Sequence, residues 1–321
     1  MLGVLAIACI GPTGCVAGRR NRSADSNRSP TTSARSSPEG DTSAPESTGH
    51  TERSVRVDDT TRTYRLVVPD TVDRSTPVAL VVMLHGGFGS ARQAELAYGF
   101  DVIAEENRFV VAYPDATRRA WNAGDCCGEP ARDDVDDAGF VKAMIDDIGT
   151  VVTLDPHRRF VAGMSNGAMM AERLACDTDL FAAVASVAGA SMNPCPNPRP
   201  ISVLHIHGLA DTHVPFDGSP GNGIGRVPRH TPVAETIAMW RDVDGCDPAT
   251  TTRAREVTTS TANCEDGRSV ELITVDGAGH QWPRGAAASS APRRRGADAP
   301  SDAFAATPLI WSFFAAHPSP T

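Results

Sequence analysis

Short runs of consecutive apolar residues recur along this chain and alternate with longer stretches that have the period of helices. The clearest run, Val78 to Leu84, contains no polar residue, which is typical of a strand buried on both faces of a sheet. We expect further strands at Tyr64 to Val68, Phe109 to Tyr113, Arg158 to Ala162, Ala182 to Val187, Ile201 to His207 and Val270 to Val275.

The stretches between these runs have the length and pattern of helices. They are Ala91 to Glu106, Gly139 to Val152, Ala168 to Ala175, Thr231 to Asp242 and Pro308 to Ala316. Strands that alternate with such helices predict the α/β class, with a mostly parallel sheet and helices on both faces. We interpret the Ala-, Ser- and Arg-rich residues 284–300 as a surface loop, because the helix after them still needs the sheet to bury its apolar face. One domain is therefore expected over residues 54–321.

The residues before this domain have a different composition. Residues 1–16 form an apolar run that is too short to span a bilayer and is typical of part of a signal peptide. Small residues before Cys9 and before Cys15 are also typical of a bacterial lipoprotein processing site. Residues 17–53 are rich in Ser, Thr, Arg, Pro and Gly, which predicts a disordered leader or tether. The expected location is outside the cell, either free or held at the cell surface by a lipid anchor.

Six cysteines follow the leader, and an even number in an exported chain indicates disulfides. They show no C-x-x-C spacing, so a cysteine metal site is not expected. Proximity in sequence favours Cys176 with Cys195 and Cys246 with Cys264. The adjacent Cys126 and Cys127 are left over, and the sequence does not decide whether they form a vicinal bridge.

The charge balance excludes some partners. Lys and Arg number 30 against 39 Asp and Glu, which gives a net charge of -9, and Lys142 is the single lysine. A chain of this kind has no lysine-rich patch to follow a phosphate backbone, so we expect no nucleic-acid partner. The same balance argues against electrostatic docking on anionic lipid, which leaves the N-terminal lipid anchor as the one expected membrane attachment.

The segment Gly163-Met164-Ser165-Asn166-Gly167 lies between a predicted strand and a predicted helix, where a G-x-S-x-G nucleophile elbow is found. The serine of such a turn has a strained backbone, and side chains two residues before and after it would collide with the strand and the helix. The pattern therefore predicts Ser165 as a nucleophile, with an ordinary glycine turn as the competing explanation.

A serine hydroxyl needs a base to take its proton, and the base needs a carboxylate to fix its tautomer. Asp211 follows the strand Ile201 to His207, and His280 follows the strand Val270 to Val275, in the chain order expected of this arrangement. Asp217 is the competitor for the acid, although we favour Asp211. The sequence thus predicts Ser165, Asp211 and His280 as the catalytic residues.

The negative charge that develops on a carbonyl oxygen during acyl transfer needs backbone N–H donors. The segment His85-Gly86-Gly87-Phe88 follows an early strand, and Asn166 follows the proposed nucleophile at a helix N-terminus. We predict an oxyanion hole from Gly87 and Asn166, with Phe88 as the rival to Gly87.

Six motifs in this order resemble one known family: LHGGFGS, WNAGDCCG, DDAGF, GMSNGAMM, HIHGLADTHVPF and GAGHQWP. They are similar to those of bacterial secreted esterases of the polyhydroxybutyrate depolymerase-like and feruloyl or acetylxylan esterase-like type. The resemblance covers about residues 63–317 and implies an α/β-hydrolase fold and serine carboxylic-ester hydrolysis, with the catalytic roles on Ser165, Asp211 and His280. Ala168 and Arg284 depart from the glycines usual in the family, which bears on substrate specificity.

Three further residues are candidates for substrate binding. Trp282 comes two residues after the predicted base, Trp121 lies in the WNAG motif, and His85 opens the early glycine loop. Indoles offer flat contact area for rings or polymer chains, although core packing explains both tryptophans equally well.

Two other functions compete with an esterase that forms an acyl-enzyme on hydroxybutyrate-type polyester or on feruloyl or acetyl sugar esters. An inactive relative would only bind polymer or cell-wall glycan, but the complete set of Ser, Asp and His argues against it. A metal-dependent hydrolase would use His205, His207 and Asp211, which lack a convincing further ligand. We therefore expect no metal and no cofactor. The sequence does not define an oligomeric state.

Overall fold

The apolar runs are the central strands of a single sheet. The computed structural model describes residues 49–222, 226–285, 298 and 301–320, and within them ten strands form one sheet in the order β1-β2-β4-β3-β5-β6-β7-β10-β9-β8. The strands are β1 His50–Val57, β2 Thr60–Val67, β3 Val78–Leu84, β4 Val110–Pro114, β5 Leu154–Met164, β6 Ala183–Val187, β7 Ser202–Gly208, β8 Thr250–Ala254, β9 Val257–Asn263 and β10 Ser269–Val275.

The centre of the sheet is parallel and its two margins are antiparallel. Neighbours from β4 through β3, β5, β6 and β7 to β10 pair in parallel. The hairpin of β1 and β2 at one margin, and that of β8 and β9 at the other, join antiparallel. The prediction of a mostly parallel sheet is confirmed, and the strands at its two margins are antiparallel.

Helices cover both faces of the sheet. They are α1 Ala91–Tyr98, α2 Phe100–Asn107, α3 Gly128–Arg132, α4 Asp137–Ile148, α5 Asn166–Asp177, α6 Val233–Val243 and α7 Ala306–Ala316. Alternate residues of β3 point to opposite faces, so Leu80, Val82 and Leu84 pack with α4, α5 and α6, whereas Val81 and Met83 pack with α1, α2 and α7. The predicted layers on both faces are confirmed.

Some boundaries differ from the predictions. The single helix expected over 91–106 is two helices, because Gly99 between them has a φ of 70°, in the left-handed region that ends a helix. Strand β1 begins at His50, so residues 50–53, which were predicted to belong to the leader, are part of the sheet. The predicted signal segment and residues 17–48 of the leader lie outside the described residues, as does most of the predicted loop over 284–300.

Strands β1, β8 and β9 were not predicted because their side chains are mostly polar. Every residue of β8 is exposed, and β9 carries the sequence VTTSTAN. At the margin of a sheet a strand needs to bury little, so the apolar signal that marks central strands is absent from its sequence.

The two favoured disulfides are confirmed, and the third pair, which the sequence left open, is also bonded. Cys176 pairs with Cys195, Cys246 with Cys264, and Cys126 with Cys127. The first pair ties the end of α5 to the loop after β6, and the second ties the end of α6 to the end of β9. Among the helices that the structure describes, none has the length and apolarity that a bilayer crossing requires.

Candidate active site

Three predicted site residues come from the carboxyl ends of strands near the middle of the parallel sheet. Ser165 follows β5, Asp211 follows β7, and His280 follows β10, and β6 separates the first of these strands from the other two. The carboxyl ends of parallel strands meet at one edge, where side chains from distant parts of a chain converge. The fold therefore brings these residues to one place without any of them being close in sequence.

The turn at Ser165 has the backbone that an elbow requires. Ser165 has φ 56° and ψ −122°, a conformation that non-glycine residues rarely adopt. A Cβ on Gly163 would lie 2.2 Å from the carbonyl oxygen of Gly167, and a Cβ on Gly167 would lie 2.4 Å from the carbonyl oxygen of Leu84. Both glycines are therefore needed for the strand and helix to approach each other closely.

Ser165, His280 and Asp211 are joined by hydrogen bonds. The Nε2 atom of His280 is 2.8 Å from Oγ of Ser165, and its Nδ1 atom is 2.7 Å from Oδ2 of Asp211. Ser165 is partly exposed, whereas the Asp211 carboxylate is fully buried. A substrate can thus reach the hydroxyl while the carboxylate stays shielded from water.

The environment of Asp211 favours its charged form. Burial alone would raise the pKa of this carboxyl. The hydrogen bond and the charge interaction with His280, together with the hydrogen bond from the N–H of Val214, outweigh the effect of burial and lower the pKa. The N–H groups of His213 and Val214 donate to Oδ1 at 2.8 and 2.9 Å. The competing residue, Asp217, is exposed and accepts from the N–H of Ser219 instead. The geometry therefore places Asp211, and not Asp217, against the imidazole.

Gly87 and Asn166 lie side by side next to Ser165. A Cβ on Gly87 would lie 3.8 Å from the Cβ of Asn166, and no bond to the backbone N–H of either residue is found within the described part of the chain. The N–H of Phe88 donates to the carbonyl of Arg119 at 2.7 Å, so it is already engaged. Between the two rivals, the geometry favours Gly87 as a donor to a developing oxyanion.

The three residues predicted to bind substrate are all buried. Trp121, Trp282 and His85 are 0%, 4% and 0% exposed, so the prediction that they contact substrate needs correction. The Trp282 indole packs on Tyr98 and donates to the hydroxyl of Thr307. The packing explanation therefore holds for both indoles.

Trp121 and His85 instead support the glycine loop. The indole Nε1 of Trp121 donates to the carbonyl of His85 at 2.9 Å, and Nε2 of His85 accepts from the N–H of Ala116 at 3.1 Å. Since Nε2 is an acceptor, the ring proton is on Nδ1, which donates to the carbonyl of Gly86 at 2.8 Å. These contacts fix the backbone of the loop that carries Gly87.

Two residues beside His280 were missed from the sequence. The backbone N–H of His280 donates to Oδ2 of Asp298 at 2.6 Å, and a Cβ on Gly279 would lie 2.0 Å from that oxygen. The ring of His213 stacks on that of His280, with centroids 5.1 Å apart. Asp298 lies in a low-complexity stretch that indicates no site residue. His213 precedes the last strand, and the catalytic histidine was expected after that strand.

The side chains that would form the rival metal site are already bonded to one another. Nε2 of His205 is 3.1 Å from Nδ1 of His207, and Nε2 of His207 is 2.8 Å from the carbonyl of Val214. These nitrogens do not point at a common centre with Asp211, so the geometry does not favour the metal-dependent alternative.

Elsewhere in the described chain, His50, Glu95 and Asp101 bring ligand atoms within 4.8 Å of one another. There, however, Glu95 pairs with the guanidinium of Arg65, and Tyr113 donates to Asp101 at 2.6 Å. These partners make the group an ion-pair cluster.

A parallel sheet covered on both faces, with a serine elbow after one strand and the acid and histidine after later strands, defines the α/β-hydrolase fold. Acetyl xylan esterase from Aspergillus awamori superposes with a TM-score of 0.54 over 72% of this chain and 94% of that chain, at 18% identity, which supports the fold.

The sequence model of the family described as esterase PHB depolymerase matches residues 63–197. NocK of Nocardia uniformis subsp. tsuyamanensis, which is named as an esterase, is 37% identical over 73% of this chain and 74% of its own length. Feruloyl esterase B of Piromyces equi is 28% identical over 65% of this chain, and the match spans 40% of that protein. The chain therefore belongs to the PHB depolymerase family of esterases, and it is a carboxylic-ester hydrolase.

Proposed function

We propose that this esterase works through a covalent acyl-enzyme on Ser165, with His280 as the base and Asp211 as the acid that orients it. One observation carries the proposal: a single imidazole lies 2.8 Å from the Ser165 hydroxyl through Nε2 and 2.7 Å from the Asp211 carboxylate through Nδ1. The carboxylate accepts the proton on Nδ1, which leaves the lone pair of Nε2 directed at the serine.

In the first half of the reaction, Oγ of Ser165 attacks the ester carbonyl carbon and its proton passes to Nε2 of His280. The carbonyl electrons move onto oxygen, and the N–H groups of Gly87 and Asn166 stabilise that negative charge. When the tetrahedral intermediate collapses, the bond to the alcohol oxygen breaks and the leaving alcohol takes the proton from Nε2.

In the second half, a water molecule gives a proton to Nε2 and its oxygen attacks the acyl carbon. The bond between the acyl group and Oγ then breaks, Oγ recovers the proton, and the carboxylic acid leaves. All groups return to their starting protonation states, so no cofactor is needed. The buried Asp211 stabilises the imidazolium that forms in each half.

The acyl group in this proposal comes from a feruloyl-type or acetyl sugar ester or a hydroxybutyrate-type polyester. A relative named as a feruloyl esterase supports the feruloyl ester. Phe88 supplies a structural reason to favour such a phenolic acyl group. This side chain is 51% exposed and follows Gly87 directly, so it offers an apolar aromatic face beside the proposed oxyanion hole. A panel of feruloyl, acetyl and hydroxybutyryl esters, compared by kcat/KM in the parent and in Phe88→Ala, tests this choice. Loss confined to feruloyl esters supports it, and an equal loss on acetyl esters contradicts it.

The catalytic proposal is tested with p-nitrophenyl acetate. We expect hydrolysis that survives a metal chelator, is blocked by a serine-directed phosphonate, and falls about 10³-fold or more in Ser165→Ala. Mass spectrometry of the phosphonate adduct should place it on Ser165. If Ser165→Ala retains the parent activity, or if the chelator alone abolishes it, the proposal is wrong. A folded parent that hydrolyses no ester and binds polymer or glycan would instead support the binding-only alternative.

We also propose that the protein acts outside the cell. Three disulfides in the described chain are stable in an oxidising compartment, and the apolar run with its cysteines precedes them. Fractionation of an expressing bacterial host should place the activity outside the cytoplasm. If a lipid at Cys15 holds the protein at the membrane, then Cys15→Ala should release the activity from the membrane fraction.

A further inference from the structure

Three titratable side chains lie buried beside the triad, and the mechanism does not use them. His205 and His207 are on β7 and each is 1% exposed, and Glu172 on α5 is 3% exposed. Oε1 of Glu172 is 3.3 Å from Nδ1 of His205, and Nε2 of His205 is 3.1 Å from Nδ1 of His207. We call these three residues the histidine chain.

The carbonyl at its end fixes where the protons are. Nε2 of His207 lies 2.8 Å from the carbonyl oxygen of Val214, and since a carbonyl only accepts, Nε2 carries a proton. Burial and the nearby ring of His205 lower the pKa of His207 to about 3, so this ring is neutral and its Nδ1 accepts. His205 must therefore donate from Nε2. Its Nδ1 faces Oε1 of Glu172, and the hydrogen bonds from His205 to His207 and from His207 to Val214 both point towards Val214.

Val214 belongs to the turn that holds the catalytic acid. Its N–H donates to Oδ1 of Asp211 at 2.9 Å, while the carbonyl of the same residue accepts from His207. Nε2 of His207 also lies 3.7 Å from Oδ2 of Asp211. The turn is thus held from both sides, by the carboxylate and by the histidine chain.

We propose that Glu172, His205 and His207 position the carboxylate of Asp211 by fixing the Val214 turn: Glu172 contacts His205, and two hydrogen bonds connect His205 to His207 and His207 to the carbonyl of Val214. This role rests on the proposed function, in which Asp211 orients His280. The three are positioning residues, because none of them touches Ser165 or a substrate. A misplaced Asp211 would misalign His280, which lowers turnover more than it lowers substrate binding.

Glu172 contacts His205 at the end of the chain opposite Val214. The hydroxyl of Ser186 donates to its Oε1 at 2.6 Å, and its Oε2 has no partner in the described part of the protein. A glutamine at 172 keeps a polar group of the same size next to Nδ1 of His205, whereas a leucine presents none. The pair Glu172→Gln and Glu172→Leu therefore separates the loss of the charge from the loss of the polar contact.

The kinetic test compares these variants on p-nitrophenyl acetate. Glu172→Gln should stay within about threefold of the parent kcat, and Glu172→Leu should lose about tenfold or more in kcat with little change in KM. Glu95→Leu is the matched control, because Glu95 is also a buried carboxylate bonded to a histidine, His50 at 2.7 Å, on the opposite face of the sheet. The control should lose stability and keep its kcat. Parent-like turnover in Glu172→Leu, or an equal loss of kcat in Glu95→Leu, overturns the proposal.

The decisive readout is the tautomer of His207, measured by long-range ¹H–¹⁵N correlation of the imidazole rings in histidine-labelled protein. The parent should show the neutral Nε2–H form, and Glu172→Leu should keep this form, because the carbonyl of Val214 still accepts from Nε2. An Nδ1–H form in the parent overturns the proposal without any variant. The activity of Ser165→Ala tests the proposed function separately: if that variant remains active, the triad assignment fails. The tautomer of His207 tests the histidine chain alone.

Discussion

The side-chain amide of Asn166 bonds to both backbone groups of Trp121: Oδ1 accepts from its N–H at 2.7 Å, and Nδ2 donates to its carbonyl at 3.1 Å. The indole of Trp121 in turn holds the carbonyl of His85. The residue after the proposed nucleophile and the glycine loop are thus parts of one hydrogen-bonded frame. That frame sets the spacing of the two N–H groups proposed to receive the oxyanion.

We expect Asn166→Ala to lower kcat about tenfold to a hundredfold with a small effect on KM, because the backbone N–H remains while the frame that aims it is lost. Steady-state kinetics with p-nitrophenyl acetate measures this. Asn107→Ala is the control, since the Asn107 amide is exposed and bonds within its own helix. Parent-like turnover in Asn166→Ala would show that the frame does not align the oxyanion hole.

Asp211→Asn should lower kcat about 10³-fold, because an amide at this position no longer favours the imidazole tautomer whose Nε2 faces Ser165. Asp217→Asn, six residues away, changes an exposed carboxylate and should leave kcat unchanged. Both variants are compared by kcat on the same ester and by thermal unfolding. If the two lose activity equally, the assignment of the acid is wrong.

The fold and the convergence of the site could be predicted because both leave strong local signals. Continuous apolar runs mark the buried strands, and the glycines at 163 and 167 mark a turn with no room for side chains. Once the strands are parallel, residues that follow them share one edge, so the order of Ser165, Asp211 and His280 along the chain was sufficient.

The rest depends on distant contacts that no local pattern records. Trp121 and Trp282 have side chains that are typical of binding surfaces, and only the tertiary structure shows that both are buried. Asp298 accepts a hydrogen bond from the N–H of His280, although the sequence around it was interpreted only as a surface loop. The hairpin of β8 and β9 is polar, so its pairing with β10 is decided by backbone hydrogen bonds.

Gly163→Ala should destabilise the fold by about 3 kcal/mol or more, because its new Cβ would lie 2.2 Å from the backbone oxygen of Gly167 and neither element can move freely. Gly99→Ala is the matched control: it has positive φ, but a Cβ there meets nothing within 4 Å. The control should cost only the conformational penalty of about 1 kcal/mol. Urea unfolding with the disulfides intact measures both, and equal losses would contradict the steric explanation.

A pH-dependent contribution to stability is expected from Asp244, which follows α6. Burial raises the pKa of this carboxyl from 3.8 to about 6, against the opposing effect of Arg268, whose Nε is 2.8 Å away. Between these two values the folded state binds a proton that the unfolded state has released. The free energy of unfolding must therefore fall as pH rises through this window.

Asp244→Asn removes this proton, so its stability relative to the parent should increase by up to about 3 kcal/mol as pH rises from about 4 to about 6. The comparison uses the slope with pH, because the loss of the Arg268 pair shifts the variant by a similar amount at every pH in this window. Urea unfolding at several pH values gives the slope, and Asp242→Asn, on the exposed side of the same helix end, is the control. If the difference between Asp244→Asn and the parent stays constant across this range, the carboxyl of Asp244 is already ionised in the folded protein at acidic pH, and the pairing with Arg268 outweighs its burial.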